Sequence, residues 1–72
     1  MAKPYESDEM FGQAADAWVA VLCAEDAGEH ADEEEKLMRH LSQAVAGKYG
    51  ASEREVLKAV KREGMARYLE DC

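Results

Sequence analysis

Pro4 is the only proline in the chain. Nothing after it forces a helix to stop or kink, because proline is the residue that deletes a helical hydrogen bond and clashes with the preceding turn. The apolar residues use that freedom at helical spacing. Phe11, Ala14, Ala15, Trp18, Val21 and Leu22 recur at three- and four-residue steps, which puts them on one side of a helix. Leu37, Met38, Leu41, Ala44 and Val45 form a second stripe, and Val56, Leu57, Val60, Gly64 and Tyr68 a third. No β-branched alternation appears, so strands are not expected. The expected fold class is all-α, a small bundle of three helices, or of four if the middle one breaks.

The boundaries follow from caps and glycines. Residues 1–7 read as a flexible N-terminus. Ser7 can cap a first helix over 8–27, with Asp8 and Glu9 at the positive end of its dipole and Gly28 as a left-handed stop. Asp32 and Glu35 have capping-box spacing and open a second helix over 32–49. Ser42 offers a cap inside that run, so it reads either as one helix or as two broken near 42. Gly50 ends it. Ser52 and Glu55 form a second capping box, starting a third helix over 53–69. Gly64 either stops this helix or lets another backbone approach closely.

Seventy-two residues allow one domain with one small core. A deep substrate cavity would leave little to support its walls, and no nucleophile–base pair with a supporting third group is readable. A non-enzymatic protein without a cofactor is expected. The longest apolar run, Trp18 to Ala24, is too short to span a bilayer. The acidic start MAKPYESDEM lacks the layout of a secretion signal. A cytoplasmic protein making no membrane contact follows as an expectation. Cys23 sits in an apolar run and reads as a small buried thiol, Cys72 as a mobile terminal residue.

Charge is unevenly spread. Residues 1–35 carry eleven acids and one base, a net −10, whereas residues 36–69 carry eight bases and three acids, a net +5. On the third helix Arg54, Lys58 and Arg62 follow four-residue steps, with Lys61 beside them. Like charges at that spacing repel by about 0.2–0.5 kcal/mol per pair. A self-repelling basic stripe points to an anionic partner.

The segment VAGKYGASEREVLKAVKREG, residues 45–64, resembles the core of helix-turn-helix DNA-binding proteins. Ala46 is the small residue of the first helix, Tyr49 packs beneath the turn and Gly50 makes it. Ala51 and Ser52 open the second helix, and Val56, Ala59 and Val60 form its buried face. Glu53 and Glu55 depart from the pattern, since such proteins usually place basic or neutral polar residues there. The resemblance implies a C-terminal half that reads double-stranded DNA in transcriptional control. Lys48, Lys58, Lys61 and Arg62 would neutralise phosphates, while Arg54 and Ser52 would lie nearest the base edges. So small a module would be expected to act as a homodimer, with Phe11, Trp18 and Leu22 serving either that contact or the core.

The acids support a second reading. Glu25, Asp26, Glu29, Glu33, Glu34 and Glu35 would present carboxylates to a protein partner, as a phage- or mobile-element-type inhibitor or adaptor does, in the manner of a DNA mimic. They do not read as a metal site. As a calcium loop starting at Asp26, the segment places Gly28 at the third position and Leu37 at the twelfth, where ligands are required. His30 and His40 are ten residues apart, with no zinc spacing around them. Met10, Met38 and Met65 read as packing.

Overall fold

A computed structural model describes residues 3–71. Among these, three α-helices pack as an all-α bundle: α1 (Glu9–Asp26), α2 (Asp32–Tyr49) and α3 (Glu53–Asp71). A short 3-10 turn, Pro4–Ser7, precedes them. Residues 1 and 2 of the expected flexible N-terminus, and Cys72, lie outside the described residues. Helix α1 is the hub and packs against both α2 and α3, which touch each other less.

The helix starts differ from the expectation. Asp8, not Ser7, is the N-cap of α1, and its Oδ1 accepts from the Met10 N–H at 2.8 Å. The 3-10 turn occupies Ser7 and moves the cap by one residue. It also buries Tyr5, whose ring lies 5.8 Å from that of Phe11 and 6.4 Å, edge-on, from that of Tyr49. The segment expected to be flexible is thus anchored by an aromatic side chain. At α2 the N-cap is Ala31, with no side-chain hydrogen bond. Asp32 is already helical, so four consecutive carboxylates, Asp32 to Glu35, fill the first turn, where the helix dipole favours them.

The ends behave as the glycines predict. Gly28 has φ +74°, and the N–H groups of Gly28 and Glu29 donate to the Glu25 and Ala24 carbonyls at 3.0 and 2.8 Å. Two carbonyls left open at the end of α1 are thereby closed by a left-handed cap. Gly50 has φ +66°, and the N–H groups of Gly50 and Ala51 both reach the Ala46 carbonyl.

Helix α2 runs through Ser42 without a break. The Ser42 hydroxyl is buried and donates to the Met38 carbonyl at 2.8 Å, one turn back. A serine satisfied within its own helix need not cap a new one. Its burial also turns the inward face of α2 to Met38, Ser42, Val45 and Ala46. Leu37 and Ala44, expected in the stripe, are exposed, and Leu41 is half-buried. Two more expectations fail on the same ground of side rather than type. Cys23 lies outside the Phe11–Ala15–Trp18 side of α1 and is an exposed thiol, and Met65 faces outward on α3.

Gly64 resolves to the second of its two alternatives. It is buried where α3 crosses α1, and a Cβ there would stand 2.6 Å from Trp18 Cδ1, 2.9 Å from Trp18 Cβ and 3.0 Å from the Ala15 carbonyl oxygen. Two of those atoms belong to backbone or its first carbon and cannot rotate away. From Lys61 to Arg67 the contacts of α3 step back along α1 from Trp18 to Gly12, so this half of α3 runs against the direction of α1.

Two glycine substitutions should therefore move stability in opposite directions. Gly47→Ala has open space around it and should gain up to about 1 kcal/mol of helix propensity. Gly64→Ala should lose up to about 2 kcal/mol net, overpacking costing about 1–3 kcal/mol against that same propensity gain of about 1 kcal/mol. Urea midpoints of the two variants, compared with the parent chain, measure both.

Candidate nucleic-acid interface

Three residues, Gly50 to Ser52, separate α2 from α3. The left-handed Gly50 redirects the chain, and the Ser52 carbonyl accepts the first α3 bond from the Val56 N–H at 3.0 Å. The Ser52 side chain is exposed. Glu55 does not reach back to complete the expected capping box but pairs with Lys3 Nζ at 3.3 Å. Glu53 Oε1 accepts from Gln43 Nε2 at 3.1 Å. Both acids at the start of α3 thus have partners within the chain.

Val56, Val60 and Gly64 turn one side of α3 inward. Helical geometry then sends Arg54, Lys58 and Arg62 outward together, and all three are exposed, as is Lys61. Among the described residues none of the four forms an ion pair. Lys61 Nζ lies 5.0 Å from the Trp18 ring centroid, a cation–π contact that leaves its charge unneutralised. Arg54, Lys58 and Lys61, with Glu53 and the half-buried Leu57, line an open depression of about 750 Å³ along the helix.

Lys48 is not part of this face. Its Nζ lies 2.8 Å from Asp8 Oδ2, and the Tyr49 hydroxyl donates to the same oxygen at 2.7 Å. The Asp8 side chain, only 6 % exposed, therefore caps α1 through one oxygen and holds the end of α2 through the other. Hydrogen bonds from Lys48, then Tyr49, then the Met10 N–H lower its pKa from 3.8 to about 2. The bond to Asp8 raises the Lys48 pKa in return, and raises that of Tyr49. Tyr49 thus packs on the N-terminal turn instead of beneath the Gly50 turn.

Arg67 is similarly engaged. It donates to Asp16 at 2.8 Å, to the Gly12 carbonyl at 3.1 Å and to Glu63 at 3.1 Å, stapling α3 to α1. Neither Asp8 nor Arg67 stood out in the sequence as a structural link. Asp8 sits at a cap position that advertises only its local role, and Arg67, between Ala66 and Tyr68, carries no local cue to a partner on another helix.

The acids of the second reading gather elsewhere. Glu25, Asp26, Glu29, Glu33 and Glu34 surround the α1–α2 turn and are exposed, while Glu35 is half-buried and bonded to Arg39 at 3.2 Å. Phe11 is buried core. Trp18 and Leu22 are half-buried, Trp18 lying between Gly64 and Lys61. Among the described residues no group of three or more His, Cys, Asp or Glu is placed to hold a metal ion, and no helix is long and apolar enough to cross a membrane. The chain matches no known family, no characterised protein and no solved structure.

The Asp8 hub carries a pH signature. A carboxyl whose pKa is lower folded than unfolded stabilises the fold above its unfolded value, and that contribution disappears as pH falls through the folded one. Asp8→Asn should unfold at lower temperature than the parent near neutral pH. The gap between the two should close as pH drops from 3.8 toward about 2. Thermal melts across that window test it.

Proposed function

We propose that the chain is a small non-enzymatic DNA-binding regulator that lays the outer face of α3 on duplex DNA. The observation that carries this reading is that Arg54, Lys58, Lys61 and Arg62 stand exposed and without carboxylate partners among the described residues. Stability alone does not account for four cations in repelling register, whereas phosphates would relieve them. The three-residue, glycine-containing link before α3 has the length of a helix-turn-helix turn and adds support. Arg54, one residue into α3, is the side chain best placed to reach base edges, and Ser52 flanks it. Lys48 drops out of the contact set because Asp8 holds it. Transcriptional control and a homodimeric form belong to the same proposal.

A second reading keeps the acids as the working surface. The exposure of Glu25, Asp26, Glu29, Glu33 and Glu34 around one turn favours it, as a carboxylate array offered to a protein partner.

A duplex-DNA gel shift at low and moderate salt tests the first reading. Retention should weaken with salt along a log–log slope of about −3 to −4 if four phosphates are neutralised. Arg54→Glu combined with Lys58→Glu should abolish it. Replacing Glu33, Glu34 and Glu35 with Lys should tighten DNA binding under the first reading and destroy partner capture under the second. Absence of any shift at either salt defeats the regulator.

A further inference from the structure

The outer face of α3 does not end with its cations. Lys61 and Arg62 are followed on the same side by Met65 and Leu69, which are 41 % and 67 % exposed. No residue of the described chain covers this apolar extension. Helix α2 carries a matching outer face. Glu33 and Glu34 are exposed and are followed by Leu37, 53 % exposed, and by the half-buried Leu41.

The two faces share one spacing. KREGMARYL, residues 61–69, and EEEKLMRHL, residues 33–41, place a charged pair first, an apolar residue three positions after the second charge, and another four positions later. On a helix with 3.6 residues per turn each set of four spans about 100° of the circumference. One patch is cationic then apolar, and the other is anionic then apolar. Glu63 bonds Arg67 and Arg39 bonds Glu35, which occupies two of the mismatched charges, while Lys36 stays exposed at the edge of the α2 face, one turn after Glu33.

We propose that the outer face of α3 docks the outer face of α2 from a second copy of this chain, the two helices running in parallel. Lys61 and Arg62 then meet Glu33 and Glu34, Met65 meets Leu37, and Leu69 meets the edge of Leu41. An antiparallel placement would set cations against leucine and leave the acids facing Met65 and Leu69. The contact joins two different surfaces, so a joined pair keeps one free face of each kind, one on each copy, and the assembly grows into a ring or an open chain. The contact covers Lys61 and Arg62, so DNA and a second copy exclude each other there. The inference itself does not depend on the DNA reading, and its test contains no nucleic acid.

Sedimentation velocity over a concentration series decides it. Salt of about 0.1 M screens the repulsion between two net-negative copies beyond about 10 Å while sparing direct pairs, whereas about 1 M salt shortens that length to about 3 Å. The parent chain should associate at the lower salt and dissociate at the higher. Glu33→Lys with Glu34→Lys, and separately Lys61→Glu with Arg62→Glu, should each be monomeric. Mixed together, these two variants should associate again, since the intact α3 face of one meets the intact α2 face of the other and the two reversed faces are themselves complementary in charge. Circular dichroism checks that both remain helical, and Met65→Ser should weaken association without altering charge. A parent chain that stays monomeric at all concentrations overturns the proposal. So does a charge-reversed variant that associates like the parent, or a mixture that forms no complex.

Discussion

The Asp8 carboxylate is the constraint on which the arrangement rests. One oxygen caps the start of α1, and the other takes hydrogen bonds from Lys48 and Tyr49 at the end of α2. Two helices joined only by the Ala27–Ala31 turn at one end are thereby closed at the other. The closure fixes where Gly50 lies, and Gly50 in turn fixes where α3 begins. From that origin the Val56–Val60–Gly64 side can be buried only against the hairpin, and Gly64 lets α3 come close enough to α1 for Arg67 to reach Asp16. The outward direction of Arg54, Lys58 and Arg62 is a consequence of these contacts.

The same contacts sort the bases. Lys3, Arg39, Lys48 and Arg67 each have a carboxylate within the chain. Three of those pairs join separate elements, and the fourth lies within α2. Among the described residues the four cations of the α3 outer face and Lys36 on α2 are left over, although carboxylates are in large excess over the chain as a whole. Four of these five bases, unpaired among the described residues, stand on one helix, so the charge is partitioned by position. This separation, more than the total, makes a polyanion or the acidic face of another copy a plausible ligand chemistry for α3.

Much of the architecture was legible in the sequence because periodicity and glycine report on the local backbone. The Gly28 and Gly50 stops follow from the same left-handed preference that the structure exhibits. What stayed hidden depends on partners far along the chain. Nothing local to Asp8 says that its second oxygen will meet Lys48, forty residues on. Ser42 shows the converse problem, since a polar side chain at a core position shifts the apparent stripe and sends Leu37 outward. At the candidate interface, the spacing of Arg54, Lys58 and Arg62 placed them on one side of α3. Whether that side was free could be judged only once Lys48 and Arg67 were seen to be occupied.

The remaining physical question is how a chain of net charge −7 can present a cationic face at all. Topology gives the answer. The acids cluster around the α1–α2 turn, and α3 starts after the opposite end of α2. Eighteen helical residues at 1.5 Å each separate those ends by about 27 Å. Glu53 at the start of α3 bonds Gln43, nine residues along α2 from Glu34, a rise of about 14 Å, so at about 0.15 M, where the screening length is about 8 Å, the acidic turn lies somewhat under two screening lengths away. An anion approaching the start of α3 therefore meets Arg54 and Lys58 together with Glu53 and Glu55, and the carboxylates of the turn add a screened repulsion. Lys61 and Arg62 lie further along α3, where Met65 and Leu69 continue the same face. One helix thus changes from a purely electrostatic surface near its start to a mixed electrostatic and apolar one near its end. The first suits a flexible-register contact with a charged polymer, and the second a contact in which apolar burial fixes the register.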